Sequence, residues 1–180
     1  MSFSFVDGWI AQARRCVSPH FNVRPQAEVS LLVVHNISLP AGRFGLPYID
    51  QLFQGCLDIN ADCSFNELHG LEVSAHFLIR RDGELVQYVS CDDRAWHAGV
   101  STFAGRPNCN DYAIGVELEG TDDIQYTDAQ YACLQQLTLC LLAQYPNLAP
   151  DKIVGHCDIA PGRKTDPGDS FDWPRFIKSL

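Results

Sequence analysis

The sequence predicts one domain of the α/β (α+β) class, in which strands and helices pack in layers. Two observations carry this prediction. A chain of 180 residues is long enough for one domain with a full hydrophobic core. Short apolar runs typical of strands occur early, in the middle and late in the chain, with helical patterns between them, which indicates layers of helix and sheet. We expect the domain to span residues 1–180.

The first half of the chain alternates apolar runs with segments rich in Gly, Pro or polar residues, and each kind predicts a different element. The expected elements are a short helix within residues 3–15, a buried strand at 30–34, a loop at 40–47, a helix at 48–57 that ends near Gly55, and an irregular polar segment at 58–71.

The strongest local signal is a β-hairpin in the middle of the chain. Residues 74–80 and 84–89 are strand-like runs, and Asp82-Gly83 between them is a pair typical of tight turns. Another strand is expected at residues 111–118.

The last part of the chain predicts one long helix, a strand and a shorter helix. Thr127 can cap the long helix, and Asp128 places a carboxylate at its positive end. Apolar residues recur on one face of this helix, and it is expected to end near Tyr145, before Pro146. The strand is expected at residues 152–155 and the last helix within residues 171–179.

Charge and composition argue against several function classes. The net charge of −9 and the isoelectric point near 4.9 argue against a protein that binds nucleic-acid phosphates. No apolar run approaches the roughly 18 residues of a membrane span, and residues 1–9 lack the basic and apolar regions of a signal peptide. The eight cysteines contain no C-x-x-C pair, so we expect reduced thiols in a cytoplasmic protein.

Two histidines and one aspartate have the surroundings of metal ligands. His35 follows the apolar run at residues 30–34, and His156 follows the strand-like run at 152–155. Asp166 lies in the next loop, which Gly and Pro residues bound. Imidazole and carboxylate are zinc ligands, and a set of three leaves one position open for water, as in hydrolytic sites. A histidine taken alone is more often structural, so the residues by themselves leave both interpretations open.

Sequence blocks spread over nearly the whole chain resemble one enzyme family. In order they are Ser18-Pro19-His20, residues 32–38, 73–76, 79–84 and 94–99, Cys109-Asn110-Asp111, residues 114–122, the loop at 156–168 and Phe171-Asp172-Trp173. With these blocks the chain resembles the zinc-dependent N-acetylmuramoyl-L-alanine amidases, most closely their AmpD-type group, which acts on 1,6-anhydro-muropeptides. Peptidoglycan-recognition domains are related to this family. The order of the blocks, rather than any one of them, makes the resemblance specific.

The resemblance implies a fold, a cofactor and a ligand set. The implied fold is a mixed central β-sheet flanked by helices, as in the phage-lysozyme-like amidases. The implied cofactor is zinc (Zn²⁺), with His35, His156 and Asp166 as its ligands. Cys157 lies next to one ligand but is expected to pack, and His76 is expected to pack behind the ligands.

The resemblance assigns the catalytic roles to Glu117 and Lys164. Glu117 is expected to be the general base and acid, and Lys164 is expected to stabilise the negative oxygen of the reacting carbonyl. From the residues alone, Glu117 is equally a solvent-facing strand residue. The alternative for Lys164 is a solvated loop cation. Glu119 would share the strand face of Glu117 and competes for its role.

The substrate contacts are expected to combine an aromatic face with polar and cationic groups. Trp96 suits the sugar, although an aromatic core position is the alternative, and His97 beside it is expected to line the groove. Arg163 is the expected partner of a peptide carboxylate. Asn36 is an expected polar contact.

The chain departs from the family pattern at two positions. Glu72 and Asn108 stand where relatives often carry Arg, which leaves open how the peptide stem is held. Arg106 lies two positions before Asn108 and is expected to reach the same carboxylate. The alternative is that this enzyme differs in its preference among stem peptides.

These features together predict an enzyme. The expected reaction is zinc-dependent hydrolysis of the amide bond between N-acetylmuramic acid, preferably in its 1,6-anhydro form, and L-alanine. The resemblance implies a role in peptidoglycan recycling and an influence on β-lactamase induction. The expected partner is a small muropeptide, with no nucleic acid and no membrane.

Three alternatives remain open at this point. The first is an amidase that acts on intact peptidoglycan. The second is a non-catalytic peptidoglycan-recognition module. The third is a structural metal site, which would require a fourth ligand such as Cys157.

Overall fold

A computed structural model describes residues 3–180 of the chain. Met1 and Ser2 lie outside the described residues. They are the first residues of segment 1–9, which was predicted not to be a signal peptide. The strands are β1 (Phe5–Val6), β2 (Trp9–Ile10), β3 (Arg14–Arg15), β4 (Phe21–Val23), β5 (Leu31–Ile37), β6 (Phe77–Ile79), β7 (Leu85–Gln87), β8 (Asp93–Ala95), β9 (Thr102–Phe103), β10 (Arg106–Pro107), β11 (Ala113–Glu119) and β12 (Ile153–Gly155). The α-helices are α1 (Tyr48–Phe53), α2 (Asp128–Gln144), α3 (His156–Ile159) and α4 (Trp173–Lys178), and 3-10 helices span Cys63–Leu68, Cys109–Asp111 and Pro150–Lys152.

A six-stranded mixed sheet forms the centre of the domain, in the order β12-β5-β11-β6-β7-β3. The first four of these strands run parallel, β7 returns antiparallel to β6, and β3 runs parallel to β7. All seven residues of β11 are buried, which is typical of a parallel strand that is covered on both faces. The mixed sheet with helices packed on it confirms the predicted fold class.

The long helix α2 covers one face of this sheet. It begins where the sequence predicts, with a capping box in which Thr127 and Gln130 satisfy each other's backbone N–H groups. Leu134, Leu137 and Leu141 are fully buried in the core against the sheet. No helix among residues 3–180 combines the length and the apolar character needed to cross a bilayer.

Alternation along β5 and β11 determines which residues face α2. The even-numbered residues belong to the core cluster that contains α2, and they are Leu32, Val34, Ile114 and Val116. The odd-numbered Leu31, Val33 and Ala113 belong to a separate cluster on the opposite face. Because strand side chains alternate, His35 and Glu117 continue this odd-numbered series and lie on the face away from α2.

The prediction of a helix within residues 3–15 is wrong. This segment forms the antiparallel pair β1–β2, and β3 then adds an edge strand to the main sheet. Asp7 and Gly8 join β1 to β2 with φ values of 51° and 78°. Positive φ at both positions is the geometry of a type I′ hairpin turn, for which Asp-Gly is a preferred pair. A two-residue turn between paired strands therefore stands where the helix was predicted.

The remaining predicted elements are present, with some differences in their bounds. The strand predicted at 30–34 extends to Ile37, the hairpin strands are shorter than predicted, and α1 ends at Phe53. The segment predicted to be irregular at residues 58–71 contains the 3-10 helix Cys63–Leu68, which the side chain of Asp62 caps. The loop after β12 opens with the single helical turn α3.

Candidate metal centre and cleft

The register of the two central strands places His35 beside Glu117. Strands β5 and β11 run parallel, and these two residues are direct Cα partners, so their side chains leave the same face of the sheet. His156 directly follows β12, which pairs with the other edge of β5. Because the carboxyl ends of these three parallel strands lie at the same edge of the sheet, residues far apart in the sequence meet there.

The side chains of His35, His156 and Asp166 converge on one point. The two Nδ1 atoms lie 3.0 Å apart, and Oδ2 of Asp166 lies 3.0 Å from Nδ1 of His35 and 3.1 Å from Nδ1 of His156. Two ring nitrogens and one carboxylate oxygen form a donor set that suits zinc. Within residues 3–180 this cluster comprises three side chains, so Cys157 is not part of it.

Hydrogen bonds on the far sides of the imidazole rings direct both Nδ1 atoms towards this point. Nε2 of His156 lies 3.2 Å from the carbonyl oxygen of Ala98. A carbonyl oxygen can only accept a hydrogen bond, so Nε2 carries the proton of this imidazole. Nε2 of His35 lies 2.9 Å from Nδ1 of His97. Burial lowers the pKa of His35 to about 4, so the ring is neutral, as a metal ligand must be. Burial alone would raise the pKa of Asp166, but hydrogen bonds with both imidazoles outweigh it and keep this pKa below its ordinary value.

Gly115 provides the space in which His97 reaches His35. A Cβ atom at position 115 would lie 2.5 Å from Cγ and Nδ1 of His97, which is too close for any side chain. The backbone N–H of Gly115 donates to Nδ1 of His76 at 3.0 Å, and the His76 ring packs edge-on against His97. His76 therefore lies behind the ligands, and His97 contacts a ligand in addition to lining the cleft.

The substitution Gly115→Ala is expected to weaken zinc binding about 10- to 100-fold, because the added methyl group displaces His97 and releases His35 from its hydrogen bond. The extra atom should also lower the free energy of unfolding by about 1–3 kcal/mol. Competition with a zinc chelator measures the affinity, and chemical denaturation measures the stability. Val116→Ala changes the opposite face of the same strand and should cost stability without loss of zinc affinity. Equal zinc affinity in Gly115→Ala and wild type would contradict the positioning role of His97.

Glu117 faces the metal centre with an unpaired carboxylate oxygen. The residue is 9% exposed, and its buried Oε2 atom has no hydrogen-bond partner among the described residues. Burial raises the pKa of Glu117 well above its ordinary value, the charge of Asp166 raises it further, and Lys164 opposes this shift. A buried carboxylate with a raised pKa and a free oxygen is suited to exchange a proton with a bound molecule.

Glu117 is also expected to make the stability of the metal-free protein depend on pH. Its pKa is higher in the folded than in the unfolded state, so the folded state binds more protons between the two pKa values. Stability therefore falls as pH rises through this interval. The melting temperature of metal-free Glu117→Gln should exceed that of the metal-free wild type at about pH 8, and the two should approach each other at about pH 4. A difference that is the same at both pH values would contradict burial as the cause.

Glu119 has structural partners that remove it from competition with Glu117. It is 1% exposed, and its carboxylate accepts the backbone N–H groups of Gly45 at 2.7 Å and Arg81 at 3.2 Å. Its Oε1 atom also pairs with the guanidinium of Arg80 at 3.2 Å. These contacts join the loop around Gly45 to the β6–β7 hairpin. The Glu119 carboxylate therefore has a structural role and does not face the proposed metal ligands.

The substitution Glu119→Gln is expected to lower the free energy of unfolding by about 2 kcal/mol, because it removes the most buried of the three carboxylates that pair with the Arg80 guanidinium. The rate per folded molecule should stay near the wild-type value. Denaturant titration and steady-state rates on the same preparation separate the two effects. A stable Glu119→Gln protein with a large loss of kcat would make Glu119 a catalytic candidate again.

A cleft of about 530 Å³ opens in front of the metal centre. Its apolar lining residues include Leu39, Leu52, Phe53, Leu68, Leu71 and Val73. The lining also includes four residues predicted to contact substrate, Asn36, Trp96, His97 and Arg163, and the predicted catalytic residue Lys164. Three ligands, the carboxylate of Glu117 and these side chains therefore share one cavity.

Trp96 and Asn36 are held in place by neighbouring residues. The indole N–H of Trp96 donates to Oδ1 of Asn22 at 2.7 Å, which fixes the ring at the wall of the cleft. The Asn36 amide donates to Oδ1 of Asp122 at 2.8 Å and to the carbonyl oxygen of Pro167 at 3.1 Å. Asn36 therefore also holds the loop that carries the aspartate ligand.

Two cations lie side by side on the cleft wall. Nη2 of Arg163 donates to the carbonyl oxygens of Ala98 at 2.9 Å and Val100 at 2.6 Å, so the guanidinium is fixed by backbone contacts. Burial is the largest cause of both pKa shifts: it lowers the pKa of His35 and raises the pKa of Glu117. The positive charge of Lys164 has a smaller effect, which lowers both pKa values. Lys164 lines the same cleft as His35 and Glu117.

Arg106 is not brought to the cleft. It forms a salt bridge with Glu28 at 2.9 Å, and its guanidinium lies 3.9 Å from the centre of the Tyr112 ring. The short β9–β10 ribbon carries it to a separate depression. The position of Arg106 therefore does not support the predicted contact with a peptide carboxylate in the cleft.

Two buried side chains to which the sequence patterns assign no role support the site. Oδ1 of Asn110 accepts the backbone N–H groups of His97 at 3.1 Å and Ala98 at 2.8 Å, and so shapes the segment behind the ligands. Arg24 is 5% exposed, and its Nη2 lies 3.1 Å from Nε2 of His76. Each contact joins residues far apart in the chain, so local patterns could not reveal it.

Comparisons with known proteins agree on one family. Residues 25–169 match the family described as N-acetylmuramoyl-L-alanine amidase. The 1,6-anhydro-N-acetylmuramyl-L-alanine amidase AmpD of Salmonella typhimurium is 62% identical over 170 residues, which cover 94% of this chain and 90% of the relative.

Two solved structures extend the comparison. A crystal structure of a selenomethionine derivative of AmpD has a TM-score of 0.96 and 58% identity, and the match covers 98% of this chain and 99% of that chain. The amidase AmiD from Escherichia coli, solved with anhydro-N-acetylmuramic acid-L-Ala-D-γ-Glu-L-Lys, has a TM-score of 0.61 and 26% identity, with coverage of 99% and 65%.

Proposed function

The chain belongs to the N-acetylmuramoyl-L-alanine amidase family, and from this premise we propose that it hydrolyses the amide bond between the lactyl group of N-acetylmuramic acid and L-alanine. The proposed substrate is a muropeptide with the 1,6-anhydro form of the sugar, the class for which the relative AmpD is named. The products are the anhydro-sugar acid and a peptide that begins with L-alanine. The proposed role is peptidoglycan recycling.

The observation that carries this proposal is the shared cavity of the ligand cluster and Glu117. His35, His156 and Asp166 face one side of the cleft, and an unpaired carboxylate oxygen of Glu117 lies on the same face of the sheet. A binding module would have no use for a buried, unpaired carboxylate, which costs folding free energy. The arrangement therefore favours an enzyme over a recognition domain.

Zinc is the proposed cofactor, and the donor set fits it. The Nδ1 atoms of His35 and His156 face each other at 3.0 Å while their Nε2 atoms have partners of their own. Two lone pairs in this position suit a shared cation. A zinc ion held by these residues and Asp166 would polarise the amide carbonyl and lower the pKa of a water molecule.

The protein side chains supply the proton transfers and the charge compensation. Glu117 accepts a proton from the attacking water at its free Oε2 and delivers one to the leaving nitrogen of L-alanine. Lys164 places positive charge next to the carbonyl oxygen as negative charge develops there. Trp96, fixed by its hydrogen bond to Asn22, presents an aromatic face to the sugar.

We also propose a cytoplasmic location, the compartment in which soluble muropeptides would be recycled. All eight cysteines lie within the described residues and are unpaired thiols. Unpaired thiols persist in a reducing compartment. Labelling of all eight thiols in protein extracted under non-reducing conditions tests this assignment, and disulfides in freshly extracted protein would contradict it.

Mass spectrometry of a defined reaction tests the function directly. Purified protein is incubated with anhydro-N-acetylmuramoyl-L-Ala-γ-D-Glu-L-Lys before chelation, after chelation and after the return of zinc. Release of the peptide beginning at L-alanine, lost with the chelator and restored by zinc, is the expected result. Binding without cleavage by the zinc-loaded protein would instead indicate a recognition module.

A further inference from the structure

The three proposed zinc ligands differ in how the fold holds them. His35 lies on the central strand β5, and His156 opens α3 directly after β12, so regular backbone hydrogen bonds fix both positions. Asp166 lies in the loop between α3 and α4, where it follows the exposed segment 161–165. The position of this carboxylate therefore depends on the contacts that the rest of the protein makes with the loop.

Two backbone carbonyl groups of the loop make these contacts. The carbonyl oxygen of Asp166 itself accepts the backbone N–H of Cys157 at 3.0 Å. The next carbonyl oxygen, that of Pro167, accepts two side-chain donors, the hydroxyl of Tyr126 at 2.7 Å and the amide of Asn36 at 3.1 Å. Proline has no backbone N–H, so the carbonyl is the only backbone group through which a hydrogen bond can hold the chain at Pro167.

Of the two side-chain donors, Tyr126 makes the shorter and the more buried hydrogen bond. Asn36 lines the open cleft and shares its amide with Oδ1 of Asp122, whereas Tyr126 is 6% exposed and does not line the cleft. Burial raises the pKa of Tyr126 above its ordinary value, so the phenol keeps its proton at neutral pH. The carbonyl oxygen of Thr121 is farther away, at 3.4 Å, so this one proton is directed at Pro167.

The surroundings of Tyr126 fix its ring. The residue directly precedes Thr127, which caps α2, and its ring packs edge-on against Phe171 at the other end of the loop, with the ring centroids 5.6 Å apart. Gly120 leaves room for the ring, because a Cβ atom there would lie 2.6 Å from its Cε1 atom. The hydroxyl group is therefore held in one place, and it connects the core around α2 to the loop that carries Asp166.

We propose that Tyr126 is a positioning residue of the zinc site. Its hydroxyl group holds the Pro167 carbonyl and so keeps the adjacent Asp166 where Oδ2 lies 3.0 Å and 3.1 Å from the Nδ1 atoms of His35 and His156. This inference rests on the proposed function, since it takes these three residues as zinc ligands. It adds a residue that acts on the site through the loop and touches neither the ligand side chains nor the cleft.

Removal of a single oxygen atom tests this role. In Tyr126→Phe the ring keeps its packing, and the Pro167 carbonyl loses its shorter hydrogen bond. The affinity for zinc, measured without substrate by competition with a chromophoric chelator, is expected to fall about tenfold, the lower end of the effect of groups that orient metal ligands. At saturating zinc, kcat on the anhydro-muropeptide should return close to the wild-type value with KM unchanged, because Tyr126 does not line the cleft.

Tyr131→Phe is the matched control. Tyr131 is 7% exposed and packs against the same Phe171, and its hydroxyl group accepts the backbone N–H of Asp172 at 2.8 Å. This variant therefore also loses a buried hydrogen bond to the loop, but at the end away from Asp166. The two metal-free variants should show similar falls in melting temperature, and Tyr131→Phe should keep the zinc affinity of the wild type.

Three results would overturn the positioning role. They are wild-type zinc affinity in Tyr126→Phe, an equal loss of affinity in Tyr131→Phe, which would assign the loss to general destabilisation, and a low kcat in Tyr126→Phe with zinc fully bound. If the zinc-loaded wild type cleaved no muropeptide, the proposed function would fall, while the zinc affinities of the two variants would still decide the role of Tyr126. Absence of zinc binding by the wild type would overturn both.

Discussion

Glu117→Gln is expected to lower kcat about a thousandfold, because the variant loses the group that accepts and returns the proton while keeping the size and shape of the side chain. The carboxylate is buried on the same face as the metal ligands, and its Oε2 atom has no other partner. An amide at this position has neither the basicity to take a proton from water nor a proton to give to the leaving nitrogen. Steady-state kinetics on a defined anhydro-muropeptide measure the loss.

Zinc content and substrate affinity distinguish this result from a general defect. The variant should retain one zinc per chain and should bind the intact substrate about as tightly as the wild type, since Glu117 is not one of the three clustered ligands. Glu119→Gln is the matched comparison, because it alters a glutamate two residues away that has only structural contacts. Retention of most of the turnover in zinc-loaded Glu117→Gln would exclude Glu117 as the proton carrier.

Asp166→Ala is expected to abolish zinc retention and to lower turnover by at least about a thousandfold, which corresponds to the loss of several kcal/mol of transition-state stabilisation. Asp166 supplies the only carboxylate of the cluster, at 3.0 Å and 3.1 Å from the two ligand imidazoles. Metal analysis after gel filtration and activity with added zinc measure the two losses. Full zinc occupancy in this variant would contradict the ligand assignment.

Thermal unfolding gives a readout of the same site that does not depend on activity. A ligand that binds the folded state raises the melting temperature, so zinc should stabilise the metal-free wild type and leave Asp166→Ala unchanged. Asp169→Asn is the control, because Asp169 is an exposed acid in the same loop that is not part of the cluster. It should bind zinc, respond to zinc on heating and turn over substrate as the wild type does.

Much of the fold could be predicted because its elements carry local signals. The apolar run of β5, the Asp82-Gly83 hairpin and the Thr127 cap of α2 each depend on residues close together in the chain. The segment at residues 3–15 was mispredicted although it also contains a local signal, the Asp7-Gly8 pair, whose positive φ angles produce a turn.

The sequence predicted which residue types form the candidate site, but not where every one of these residues lies in the structure. Order and spacing of the sequence blocks identified the amidase family, and the structure brings the three proposed ligands together. Arg106 lies outside the cleft, where it pairs with Glu28, a residue 78 positions away in the sequence.

The sequence by itself determined which segments are strands and helices, the amidase family, and the chemistry available to the site. The tertiary structure decided which of two glutamates faces the metal ligands. The period of a strand places Glu117 and Glu119 on the same face, but the partners of each depend on what lies opposite. Parallel pairing sets Glu117 beside His35, whereas Arg80 and the Gly45 loop surround Glu119. Side-chain alternation is a local property, and the environment of each face is created only when distant segments pack against it.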